Sequence, residues 1–292
     1  RKHISRNALQ VLYRLNEKGY KGYLAGGCVR DLLLGKSPKD FDVATDATPQ
    51  QVKRCFRNCR LIGRRFRLAH VMFRDEIIEV ATFRAPVDPA PEEEEAEDGD
   101  SHREKGKKFI QLNEDGVVIR DNEYGTPEED AFRRDFTINA LFYDIEDFSI
   151  IDYVGGLKDI EEKVVHCIGD PDQRYQEDPV RMIRAVRFAT TLDLDIEDNT
   201  YQAILREREH MTHASNARMY EEILKFFYSG GMEKAFDVWC ETELLDVMFP
   251  GFADWFRNRA GDDAKKWHRM ALEQLDKWKA HDIKASPELA YA

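Results

Sequence analysis

The 292-residue chain has no C-x-x-C pair and only five cysteines, Cys28, Cys55, Cys59, Cys167 and Cys240. An odd, unpaired set supports neither a disulfide framework nor a zinc site, and the eight histidines show no ligand spacing. Nor is there an apolar run near the roughly 20 residues that span a membrane, or a signal-peptide pattern at the start. A soluble protein of the reducing cytoplasm is expected. Positive charge is also outnumbered overall, 44 Lys and Arg against 56 Asp and Glu. The net charge of −12 argues against a nucleic-acid partner if taken as a whole. Much of the acid, however, sits in "EEEEAED" (92–98), within a segment from 88 to 108 that reads as an unstructured acidic insertion. Elsewhere arginines cluster in "RRFR" (64–67), "FRRD" (132–135) and "RMIRAVR" (181–187), so the local potential can be positive.

What is present is enough apolar residue, 42%, to bury a substantial core. Residues 5–18 space Ala8, Leu9, Val11, Leu12 and Leu15 as a helix, with Ser5 as N-cap and Gly19 as a stop. "YLAGG" then leads into a helix through "CVRDLLLG", and the alternating "DFDVAT" predicts a strand. "TPQQVKRCFRN" opens with a Thr-Pro helix start. "RLAHVMF" and "EIIEVATFR" predict a strand pair turning at 74–76, followed by strands in "TINALFYDI" and "SIIDYV". From Asp178 onward strand signals vanish and amphipathic helical segments follow one another. The fold class read here is α+β: a mixed α/β head over 1–155, then an all-α neck over 156–230 and a helical body over 231–292 that can be an excerpt of a longer chain.

One stretch concentrates chemistry: "LAGGCVRDLLLGKSPKDFDVATDATP" (24–49). On a strand, Asp40 and Asp42 project from one face, and two hard carboxylates suit Mg²⁺ with phosphate-bearing substrates. Alone, such a pair reads as a solvated strand end. Gly26 and Gly27, at a strand-to-helix junction, free backbone N–H groups for a phosphate, and Arg30 adds a charged donor. Alone, a Gly-Gly is a tight turn. Together and in this order, they read as a phosphate cradle facing a metal site.

"YLAGGCVRDLLLGKSPKDFDVAT" resembles the signature of the polymerase-β-type nucleotidyltransferases, within them the bacterial poly(A) polymerase and CCA-adding enzyme group. Four more blocks match in order: "EVATFR" (79–84), "EEDAFRRDFTINALFY" (128–143), "IIDYVGGLKDI" (150–160) and "YQEDPVRMIRAVRFA" (175–189). "LIGRRFRLAHVMF" (61–73) is similar to the poly(A) polymerase version of its strand, which favours that branch. The resemblance implies template-independent transfer of AMP from ATP to RNA 3′ ends with two Mg²⁺ ions; a monomer is expected. CCA addition to tRNA from CTP and ATP is the alternative, and a silent RNA-binding relative a third reading.

Residue by residue, the resemblance makes Asp40 and Asp42 the metal-binding pair and Asp135 the third acidic residue, with Glu79 a rival third ligand. Either could instead be held in an ion pair with an arginine. It places Gly27, Arg30, Arg134, Arg181 and Arg184 at the nucleotide, although Arg181 and Arg184 could equally form a solvated helix face. Asp178 and Arg181 would read the incoming base. Asp178 before Pro179 also reads as a plain helix N-cap. An acceptor beside a donor fits adenine (N6 and N1) and cytosine (N4 and N3) alike, so the pair rejects G and U without separating ATP from CTP.

Overall fold

A computed structural model describes residues 2–63, 67–85, 111–112, 118–120, 124–281, 283 and 286. The acidic insertion at 88–108 lies outside the described residues. The chain divides into two compact units, residues 1–134 with 139–153, and residues 135–138 with 154–292.

The first unit runs α1 (Arg6–Glu17), β1 (Gly22–Ala25), α2 (Gly27–Leu33), β2 (Asp42–Thr45), α3 (Pro49–Cys55), β3 (Cys59–Ile62), β4 (Leu68–Met72), β5 (Ile77–Thr82), β6 (Gln111–Leu112), β7 (Val118–Arg120), α4 (Pro127–Phe132), β8 (Phe142–Asp144) and β9 (Ile150–Ile151). Ser5 caps α1 as its sequence predicts, accepting from the N–H groups of Asn7 and Ala8, and Ala8, Val11, Leu12 and Leu15 are buried. Thr48 and Gln51 close a capping box on α3, with Pro49 at the first helical position. The main sheet has the order β3-β4-β5-β2-β1-β8-β9. Only β2 and β5 run parallel in it, because α3 and the β3–β4 hairpin carry the chain between them.

Two strand expectations change. The strand expected from residue 40 begins at Asp42, with Asp40 in a bend before it. β1 leaves the sheet at Gly26, so β2 has no neighbour on that side any earlier. In "TINALFYDI" only 142–144 form a strand, while Thr137–Asn139 make a 3₁₀ turn. The cause is a shared allegiance. Phe136 bridges Cys167, Thr137 N–H donates to the His166 carbonyl and Thr137 Oγ1 to Asp159, all in the second unit, whereas Phe142 joins the head core.

The second unit is helical: α5 (Gly156–Glu162), α6 (Pro171–Glu177), α7 (Val180–Leu192), α8 (Asp198–Glu207), α9 (Asn216–Ser229), α10 (Met232–Glu241), α11 (Leu244–Met248), α12 (Pro250–Asp254) and α13 (Asp262–Ala280). One correction applies: Val164–Val165 pairs in parallel with Asp195–Ile196, a short ladder inside the region read as free of strands. Its core joins α7 (Met182, Ile183, Ala185, Val186) to Phe226 and Trp239, whose rings meet edge-on 4.9 Å apart. Among the described residues no helix is long and apolar enough to cross a membrane.

Glu222 of α9, buried to 5% exposure, accepts from Arg184 (3.0 Å), Arg187 (3.1 Å) and Lys225 (2.6 Å). Burial pushes its carboxyl up, but these cations outweigh burial and hold it below the usual range. Its stabilising contribution is therefore complete above the ordinary glutamate range and fades as pH falls through the depressed folded value. Glu222→Gln should destabilise the protein at pH 7 by about 3 kcal/mol, the size of a broken buried pair. The deficit in denaturant titrations should shrink below pH 4; one that stays constant with pH would mean that charge is not its source.

Candidate active site

The parallel pairing of β2 with β5 sets Asp42 directly opposite Glu79. Asp42 remains open to water, yet protein crowds it from one side. Desolvation first, then the charges of Glu79 and Asp40, push its carboxyl up to about 6, against the pull of Arg134. Asp40, largely exposed, stands 4.0 Å from Lys39, and Glu79 lies 3.4 Å from His70 Nε2. Among the described residues no group of three His, Cys, Asp or Glu is already drawn tightly enough to hold an ion. The donor chemistry nevertheless fits Mg²⁺: three mutually repelling carboxylates at a solvent-open rim are what a hard divalent cation with retained waters relieves.

Beside them, Gly26 ends β1 at φ 71° and caps α2, its N–H donating to the Leu141 carbonyl (2.9 Å). A Cβ there would lie 2.8 Å from Arg134 Nη1, so a left-handed backbone and a close guanidinium both call for glycine. At Gly27 a Cβ would meet only Arg30 Nη2, at 3.5 Å, so this chain by itself does not require glycine. Arg30 is buried, donating from Nη1 to Asn139 Oδ1 (2.5 Å) and from Nη2 to Asp31 (2.7 Å). Arg134 donates from Nη1 to the Asn139 carbonyl (3.0 Å) and from Nε and Nη2 to one Asp130 oxygen (3.1 and 2.9 Å), over the Phe142 ring. Asn139 thus ties both arginines to the glycine turn, and Arg134 links that turn to Asp42. The sequence reading missed Asn139 and Asp130. Asp130 was findable from its i, i+4 spacing to Arg134, whereas nothing local marks Asn139.

In the second unit Asp135 accepts from Arg184 Nε and Nη2 (2.8 and 2.5 Å) through Oδ2 and from the Phe136 N–H through Oδ1 (2.8 Å). Burial opposes the charge on Arg184, but Asp135 and Glu222 hold its pKa above the ordinary arginine value. The carboxylate brought into register with Asp42 is therefore Glu79, while Asp135 is engaged by Arg184. Arg181 and Arg184 form no solvated face, their side chains being 16% and 27% exposed. Arg181 donates to the Arg174 carbonyl (2.8 Å) and Glu177 (2.9 Å). The N-cap expected at Asp178 is overturned. Asp178 ends α6, Pro179 occupies the cap of α7 and no side-chain cap bond forms there. Asp178 Oδ2 instead accepts from Arg218 (2.6 Å), and Oδ1 is buried with no partner among the described residues.

Residues 22–166 match the family model of the poly A polymerase head domain, and 193–256 that of the probable RNA and SrmB-binding site of polymerase A. The chain belongs to the poly(A) polymerase family. Within it, the whole chain is 46% identical over 295 residues to poly(A) polymerase I of Escherichia coli O6:H1, covering 60% of that protein. Poly(A) polymerase I of Haemophilus influenzae is 43% identical, with 99% of this chain and 61% of that protein covered. The CCA-adding enzyme of Bacillus subtilis is 36% identical over 84% of the chain and 55% of that protein. The crystal structure of the Bacillus stearothermophilus CCA-adding enzyme in complex with CTP superposes with a TM-score of 0.67 at 30% identity, covering 93% of this chain and 57% of that one. The chain thus spans about 60% of the length of the poly(A) polymerases it matches.

A charge-assisted hydrogen bond contributes about 1.5–3 kcal/mol, so Asn139→Ala should weaken binding of inorganic triphosphate about tenfold or more by calorimetry at a temperature where the variant is folded, and should lower the melting temperature as well, because the buried Arg30 Nη1 loses its acceptor. Unchanged affinity would remove Asn139 from the cradle. In the metal-free protein the Asp42 carboxyl should titrate near pH 6 by carbon-13 NMR. Because this folded pKa is raised, the group's contribution to stability is lost as pH rises through 6. Glu79→Gln removes a like charge and should move the midpoint down. A midpoint indifferent to Glu79 would contradict the pairing described.

Proposed function

We propose that this chain catalyses template-independent transfer of AMP from ATP to the 3′-hydroxyl of RNA, releasing pyrophosphate. The observation that carries the reading is the register of Asp42 against Glu79, within electrostatic reach of the arginine that packs on the glycine turn. Bound at Asp40, Asp42 and a third carboxylate, Glu79 or Asp135, two Mg²⁺ ions would activate the attacking oxygen and neutralise the leaving group. Gly26, Gly27, Arg30 and Arg134 grip the triphosphate, so that catalysis is positioning and charge stabilisation. Asp178 accepts the exocyclic amine of the base through its orphaned Oδ1, and Arg181 donates to the ring nitrogen, with Arg184 holding the site's geometry. Five free thiols fit a reducing cytoplasm. CCA addition to tRNA is the second reading, favoured by the CCA-adding enzyme among the solved structures.

Incubation with Mg²⁺, a short RNA and each nucleotide in turn should give a long ladder with ATP alone. Addition of C-C-A to a tRNA, and arrest there, would establish the second reading instead. Asp42→Asn should lower the rate at least a thousandfold at unchanged RNA affinity. Asp178→Ala should reduce the preference for ATP over GTP by about tenfold or more, since a buried acceptor left unmatched is what rejects guanine. Retained preference would take Asp178 out of base selection.

A further inference from the structure

The pairing that joins Asp42 to Glu79 continues across the sheet. Glu79 of β5 is opposite His70 of β4, and His70 is opposite Arg60 of β3, the edge strand. Cross-strand partners project from the same face, so Asp42, Glu79, His70 and Arg60 form one row, about 14 Å long at strand spacing. This face is open. Asp42 and Arg60 are exposed, and Met72 and Ile77, themselves a cross-strand pair, are 38% and 52% exposed, with Ile62 at 46%.

At its far end the row meets a strongly basic edge. Between Asp46 and Asp75 the sequence has eight Lys and Arg and no Asp or Glu, in a chain whose net charge is −12. Arg57 precedes β3, Arg60 lies within it and Arg67 precedes β4, all exposed. Among the described residues none of the three has a carboxylate within ion-pair distance, although most other arginines of this chain do. One or two charges suffice to keep an edge strand from pairing with another chain. A stretch of 28 residues emptied of acid exceeds that need. A positively charged margin with no acid beside it is what tracks the backbone of a single-stranded nucleic acid.

We propose that the β3 edge, through Arg57, Arg60 and Arg67, holds the phosphate backbone of the RNA primer a few nucleotides upstream of its 3′ end, the strand crossing the open face from Asp42 to Arg60. The inference rests on the AMP-transfer reading for the identity of the primer. The test compares the full chain with an Arg57→Ala/Arg60→Ala/Arg67→Ala variant, using fluorescence anisotropy of a 15-nucleotide oligo(A) across a salt series. Each phosphate contact contributes about 0.7 to the slope of log affinity against log salt for a single strand, so the slope should fall by about 2 and affinity by about tenfold or more. The KM for that primer should rise while the KM for ATP and turnover on a dinucleotide primer stay as they are. A charge-preserving Arg→Lys triple variant should recover most of the affinity. An unchanged slope and primer KM would overturn the proposal, as would intact RNA binding with loss of binding to phosphatidylglycerol vesicles. If the wild-type chain transfers no AMP, the catalytic reading fails, while the salt slope still decides the edge.

Discussion

Two guanidinium groups, Arg30 and Arg134, share one acceptor residue, Asn139, and the arrangement of the head depends on that sharing. Like charges this close repel, and each is satisfied on its outer side by a carboxylate, Asp31 for Arg30 and Asp130 for Arg134. On the inner side a third carboxylate would cancel the positive potential beside the glycine turn. The neutral side-chain amide and the backbone carbonyl of Asn139 hold both cations without cancelling their charge. Gly26 follows from this: its missing side chain is the space that Arg134 Nη1 occupies. Asn139 can reach both partners because the 3₁₀ turn of 137–139 delivers it just before β8, which pairs with β1.

The second constraint is repulsion of the opposite sign. Parallel pairing of β2 and β5 places two acids opposite each other at a sheet rim, with Asp40 close enough to be felt. A structural ion pair would have joined unlike charges there. Desolvation and like charge instead leave Asp42 partly protonated near pH 6, a cost in the metal-free protein that a divalent cation removes. The unfavourable term in the unliganded state is then part of the binding energy of the loaded one. The crossover through α3, β3 and β4 is what makes β5 parallel to β2, and the same crossover carries the basic edge.

Local signals in the sequence were legible where a single element decides the outcome. Ser5, the Thr48–Gln51 box and the glycine turn follow from capping and φ preferences, and the structure keeps them. Residues whose role depends on two cores were not legible by pattern. "FTINALFY" alternates like a strand, yet Phe136 and Ile138 serve the helical unit and Phe142 the head, so the segment breaks into a turn and a short strand. Asp178 looked like a cap because Pro179 follows it. The deciding partner, Arg218, is 40 residues away in sequence and invisible to local spacing. Glu79 and Asp135 could not be separated from sequence for the same reason: strand register, not composition, puts Glu79 beside Asp42.

The helical unit pairs most of the charges on and around α7 with carboxylates. Arg184 is shared by Asp135 and Glu222, Arg187 and Lys225 also close on Glu222, and Arg181 is held by Glu177. Nearly every buried charge on α7 is thus matched by a carboxylate, as low dielectric demands. Asp178 departs from this pattern by half: Arg218 satisfies one oxygen and fixes the orientation, leaving the other buried without a donor. An unsatisfied buried acceptor costs about 1–3 kcal/mol, and a ligand that supplies the hydrogen would recover that cost. On the proposed reading an amine-bearing base would meet that demand and a carbonyl-bearing one would not. Asp178 would then separate amine-bearing from carbonyl-bearing bases, while the choice of adenine over cytosine, which present the same donor and acceptor, falls to other features of the site.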